Sequence, residues 1–113
     1  MNTEEQINAI EIGIDQAKEK VNDMEALQRL TKNKDFIQII TEGYFEKEAS
    51  RVVLMKALPS MVDDESQNFC NKSIDAIGVL RQHFSAVMQM GAAAERSITS
   101  DQVTREELLA EGV

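Results

Sequence analysis

The chain has 113 residues, 42% hydrophobic and only 4% aromatic, with one proline and five glycines. That is enough core for one small domain, and too few turn residues and aromatics for the many short strands of a β-sandwich or barrel. Twenty acidic residues against twelve basic ones leave a net charge of −8, which opposes direct binding to nucleic-acid backbones or anionic membrane surfaces and suits a basic partner.

Cys70 is the single cysteine, so there is no intrachain disulfide framework and no Cys-x-x-Cys motif. The opening residues Met1-Asn2-Thr3-Glu4-Glu5 are acidic where a secretory signal carries positive charge, and no run of about 18 apolar residues occurs. The expectation is a protein without signal peptide or membrane span. The fold class expected is all-α: a single domain over 1–113, an elongated arrangement of three helices with coiled-coil-like first and third helices and a short C-terminal helix or tail.

Helix one is predicted over 3–31. Ile7, Ile10, Ile14, Ala17, Val21 and Met24 follow a 3-4-3-4-3 spacing that holds a narrow apolar stripe on one side, after which the apolar residues shift to Leu27 and Leu30. Thr3 with Gln6 has the form of a capping box, and Glu4 and Glu5 sit at the positive end of the helix dipole. Helix two is predicted over 35–57, capped by Asn33 or Asp35, with a broad apolar face of Phe36, Ile37, Ile40, Tyr44, Phe45, Ala49, Val52, Val53 and Leu54. Pro59 disfavours helical geometry at Leu58 and stops it.

Asp63, Asp64 and Ser66 supply caps for helix three, predicted over 64–98. Its heptad runs Cys70, Ser73, Ile77, Leu80, Phe84, Val87, Gly91, Ala94 and Ile98. Thr99-Ser100-Asp101 then reads as a break, and Thr104 with Glu107 as a second capping box, giving a separate acidic segment over 99–113. Charge sums to −4 over 1–31, +1 over 32–59, −2 over 60–98 and −3 over 99–113. Helices of about 29 and 33 residues would be on the order of 43 and 50 Å long, against a radius of gyration of roughly 13 Å for a compact domain of this size. Stripes of that length exceed what one layer of helices covers, so a homo-oligomer is expected, closed by Ile7, Ile10, Ile14, Val21 and Met24.

Catalytic, cofactor-binding and metal-binding residues are all expected to be absent. His83 is the lone histidine and has no Glu-x-x-His or His-x-x-x-His partner. Cys70 lies on the heptad face, where a free cysteine behaves as a small apolar side chain. Asp63-Asp64-Glu65 and Glu106-Glu107 lack the ligand spacing of a calcium loop. Gly13, Gly43, Gly78 and Gly91 fall within helical periodicity instead of a phosphate-binding loop. The protein is therefore read as a non-enzyme.

The stretch from Asp35-Phe36 through Gly43-Tyr44-Phe45 and Glu48-Ala49-Ser50-Arg51, then Pro59-Ser60-Met61, Ile74-Asp75-Ala76-Ile77-Gly78 and Leu80-Arg81-Gln82-His83-Phe84, resembles a family of small helical proteins encoded by tailed bacteriophages. The resemblance covers roughly residues 25–100. It implies a role in phage structure or assembly, with other phage structural proteins as partners, and a location in the host cytoplasm during infection and then in the virion. It carries over no catalytic residue. On this resemblance Tyr44, Phe45, Arg51, Asp75, Arg81 and Phe84 become partner-contact candidates, with an Arg51–Asp75 ion pair between helices as the purely structural alternative. The alternative function is an acidic regulator that binds and inhibits a basic host nucleic-acid enzyme.

Overall fold

The computed structural model describes residues 2–112, and the expected ends Met1 and Val113 lie outside them. Every regular element among the described residues is helical. Three helices account for them: α1, Thr3–Thr31; α2, a continuous rod over 34–56; and α3, Asp64–Gly112. A short 3-10 turn, Pro59–Met61, joins the last two.

Local chemistry sets each boundary. The Asn2 Oδ1 accepts the Glu5 N–H at 2.8 Å, so Asn2 caps α1 one residue ahead of the expected Thr3–Gln6 box. The Asn33 Oδ1 accepts from the N–H groups of both Asp35 and Phe36 at 3.0 Å, which makes Asn33 the cap of α2. Leu58, ahead of Pro59, is extended at ψ 139, and α2 ends at Lys56. Asp63 caps α3 by accepting the Ser66 N–H at 3.0 Å. The hydrogen bond from the Ser66 side chain, then that N–H, hold its carboxyl below the usual aspartate range.

The predicted stop near residue 98 is replaced by an uninterrupted helix to Gly112. The Thr99 and Thr104 hydroxyls donate to the carbonyls of Glu95 and Ser100, four residues back, both at 3.1 Å. They bond back within the helix instead of capping a new one. The heptad also continues past the expected break, through half-buried Asp101, Arg105 and Leu108.

The chain packs as two compact units. One comprises α1 up to Leu27 with α3 from Ala86 onward, and the other comprises residues 28–85. In the first, the two helical segments run antiparallel: Met24 meets Gly91, Gly13 lies by Asp101, and Gln6, Ala9 and Ile10 share a groove with Thr104 and Leu108. Ile14 is 3% and Met24 5% exposed, with Leu27 and Ala94 buried beside them in this core. The apolar stripe of α1 is thus covered at its centre by the heptad stripe of its own chain's α3. This intrachain cover takes up Ile14 and Met24, two of the five residues expected to close an oligomer.

The second unit is an antiparallel hairpin of α2 and the first part of α3, with the last turn of α1. Val52, Cys70 and Ile77 are its buried core. The Gln67 side-chain amide donates to the carbonyls of Lys56 at 2.8 Å and Met61 at 2.7 Å, tying the turn to α3. Val53 and Leu54, read from sequence as part of the α2 apolar face, are instead exposed.

The centre of α2, Ile37–Glu48, is a π-helix. The row of covered residues along this segment matches the wider turn. Phe36, Ile40, Tyr44, Glu48 and Val52 recur every four residues, and all are buried or half-buried. At about 100° per residue, an ordinary α-helix would turn Val52 roughly 160° away from Phe36. A π-helix, with hydrogen bonds to the fifth residue instead of the fourth, advances less per residue and returns that row to one face. Gly43 permits the turn: a Cβ there would stand 2.8 Å from the Gln38 carbonyl oxygen.

Candidate functional site

The π segment of α2 forms one wall of a cleft of about 320 Å³ within the unit 28–85. The cleft is lined by Phe36, Thr41, Phe45 and Glu46 of α2, Thr31 at the end of α1, and Arg81 and Phe84 of α3. Phe36, Thr41 and Glu46 are spaced by five. Five residues of α-helix turn through about 500°, which would place consecutive members about 140° apart. The π turn is what lets all three line the same wall.

Phe84 joins the two helices at the cleft floor. Its ring centroid is 6.0 Å from Phe36 and 5.7 Å from Phe45, tilted at 46° and 65° respectively. These are favourable aromatic geometries. Arg81 and Glu46 are exposed, and neither has an ion-pair partner among the described residues. The site therefore offers an aromatic floor with one cation and one anion at its edges. Its volume is at the low end of the range for small-ligand pockets, roughly 300 Å³ upward.

Three of the six contact residues expected from the resemblance, Phe45, Arg81 and Phe84, meet in this cleft. Tyr44 is not part of the lining, and its ring is 6.0 Å from that of Phe45. Arg51 and Asp75 stand elsewhere. Arg51 pairs with Glu48 one turn back on the same helix, Nη2 to Oε1 at 2.5 Å and Nε to Oε2 at 3.0 Å, instead of reaching Asp75 on α3. That hydrogen bond holds the Glu48 carboxyl below its ordinary range and pushes the Arg51 guanidinium further up. Asp75 is exposed. Sequence reasoning missed Thr31, Thr41 and Glu46; the five-residue step from Phe36 was the available signal for the last two.

The lone histidine and the lone cysteine are on different footings. His83 is exposed, its ring 6.3 Å from that of Phe84. Cys70 is fully buried and packs as the small apolar side chain expected of it. No described helix is long and apolar enough to cross a membrane. No protein-family model, curated protein or solved structure matches the chain.

Proposed function

We propose that the protein is a non-enzymatic component of phage structure or assembly that acts by binding other protein chains, including copies of itself. The observation that carries this reading is the apolar surface around the α2–α3 turn. Val53, Leu54, Leu58, Val62 and Phe69 are all exposed there, Leu54 at 70% and Val62 at 71%. Five exposed large apolar side chains within 53–69 are a density of apolar surface that a partner would cover. The sequence resemblance to tailed-phage helical proteins supplies the setting, with the protein working in the host cytoplasm and entering the particle.

A second reading, the acidic regulator of a basic host enzyme, is favoured by one specific feature. The unit built from the two ends of the chain holds twelve acidic and four basic residues, while 28–85 holds eight of each. The entire net charge of −8 belongs to one unit, an acidic body suited to steering toward a basic surface. Quantitative mass spectrometry of purified particles, compared with infected-cell lysate through the infection, separates the two. Many copies per particle are expected. Presence in lysate alone, with salt-sensitive capture of a basic host protein, would replace the first reading with the second.

A further inference from the structure

We infer that the cleft on the π segment receives Phe69 of a second copy of this chain, an inference that rests on the assembly reading above. Phe69 is 60% exposed on α3, an unusual position for a phenylalanine with no cover. Glu65 lies four residues before it and Lys72 three residues after, and both are exposed. At about 100° per residue, the three side chains fall within an arc of roughly 60° and form one short stripe of acid, aromatic and base.

The cleft is the complement of that stripe. Phe36, Phe45 and Phe84 give the cleft three aromatic rings, and its lining also holds one cation, Arg81, to match the acid and one anion, Glu46, to match the base. Both charged cleft residues lack an ion-pair partner among the described residues. Seating Phe69 buries an aromatic anchor among three rings while Glu65 meets Arg81 and Lys72 meets Glu46. This is the combination of aromatic anchor and arginine in which interface energy concentrates.

The donor must be another molecule. Phe69 and the cleft residue Phe84 are on the same helix, fifteen residues and therefore about 22 Å apart along its axis, so the chain cannot fill its own cleft. Both halves of the contact occur in every copy. A two-fold pair exchanges two Phe69 side chains, and a head-to-tail arrangement passes one from each copy to the next.

Sedimentation velocity of the full-length chain over a range of concentrations tests this. The wild-type protein is expected to self-associate. Phe69→Ser and Arg81→Glu, each at an exposed position and each checked for unchanged helicity by circular dichroism, should weaken association at least tenfold. Glu65→Arg combined with Arg81→Glu in one chain should recover most of what Arg81→Glu alone loses, a result that a generally damaged surface would not give. Wild-type protein that stays monomeric at high concentration, or association that survives Phe69→Ser, overturns the inference. The particle count is a separate readout: a protein abundant in particles but monomeric alone keeps the assembly reading and loses this contact. Self-association through Phe69 in a protein absent from particles does the opposite.

Discussion

Gly91 and Gly78 occupy the same helix, and a single added methyl group should act on them in opposite directions. At Gly91 a Cβ would collide with the Met24 Cβ and stand 2.8 Å from its Cγ and Sδ, deep in an antiparallel seam where Met24 cannot back away from its own backbone. Gly91→Ala should cost about 1–3 kcal/mol through overpacking. At Gly78 nothing lies within 4 Å of the added atom. Gly78→Ala should therefore stabilise by roughly 0.5–1 kcal/mol, through the conformational freedom removed from the unfolded chain. Urea denaturation of the two variants beside the wild type checks both signs. At this scale the caps were legible only as short sets of candidates: the structure selects Asn33 over Asp35 and Asp63 over Asp64 and Ser66, and at α1 it uses Asn2 in place of Thr3. The partner of Arg51 was not legible. Asp75 and Glu48 both had suitable charge, and only the fold shows that the acid one turn away on the same helix engages it.

At the level of the element, the existence of three helices could be read from apolar spacing, and the Thr3–Thr31 extent of α1 agrees with it. Two features could not. Thr99-Ser100-Asp101 has the composition of a break, and hydroxyls that bond back to a carbonyl four residues earlier look identical in sequence to hydroxyls that cap. The π character of Ile37–Glu48 was hidden for another reason: apolar residues every four positions also satisfy a broad α-helical face over a few turns. The distinguishing evidence is cumulative drift, visible only when Phe36 and Val52 are required to share one side. Gly43→Ala tests the role of the turn directly. Its Cβ would press on the Gln38 carbonyl oxygen, so the segment should resettle toward α geometry and turn Thr41 and Glu46 away from Phe36. Through-hydrogen-bond couplings in NMR should shift from amide pairs five residues apart to pairs four apart. Unchanged five-residue couplings would show that the glycine is dispensable.

The whole molecule departs from the sequence reading mainly in how its parts are drawn from the chain. Charge summed over the predicted segments is spread across three of the four, whereas charge summed by packed unit is −8 in one and zero in the other. The contiguous window 28–85 carries this neutrality, but only the packing shows that its bounds are the ones to sum over and that the two acidic flanks belong to one unit. The same arrangement alters a natural experiment: Ile14→Asp would place a charge in a site 3% exposed within a single chain, and would unfold that unit before it reported on any oligomer. The charge division predicts a selective salt response. Screening should relieve self-repulsion in the acidic unit and leave 28–85 nearly unaffected. Amide exchange measured at low and moderate ionic strength should slow with salt in 3–27 and 86–112, and equal slowing in both units would count against the account.

The split origin of the acidic unit also sets an order of events on the ribosome. Residues up to Leu27 are made well before the helix that covers Ile14 and Met24, whose contribution begins only at Ala86. At roughly 5–20 residues per second, the intervening stretch takes about 3–12 s to synthesise, and 28–85 can close its own hairpin only as that interval ends. For those seconds Ile7, Ile10, Ile14, Val21 and Met24 form an apolar stripe with no cover from later in the chain. Neighbouring nascent chains on one message, each at a different point of synthesis, would present the same stripe in overlapping intervals, so the covering helix must arrive in time to claim the seam from them.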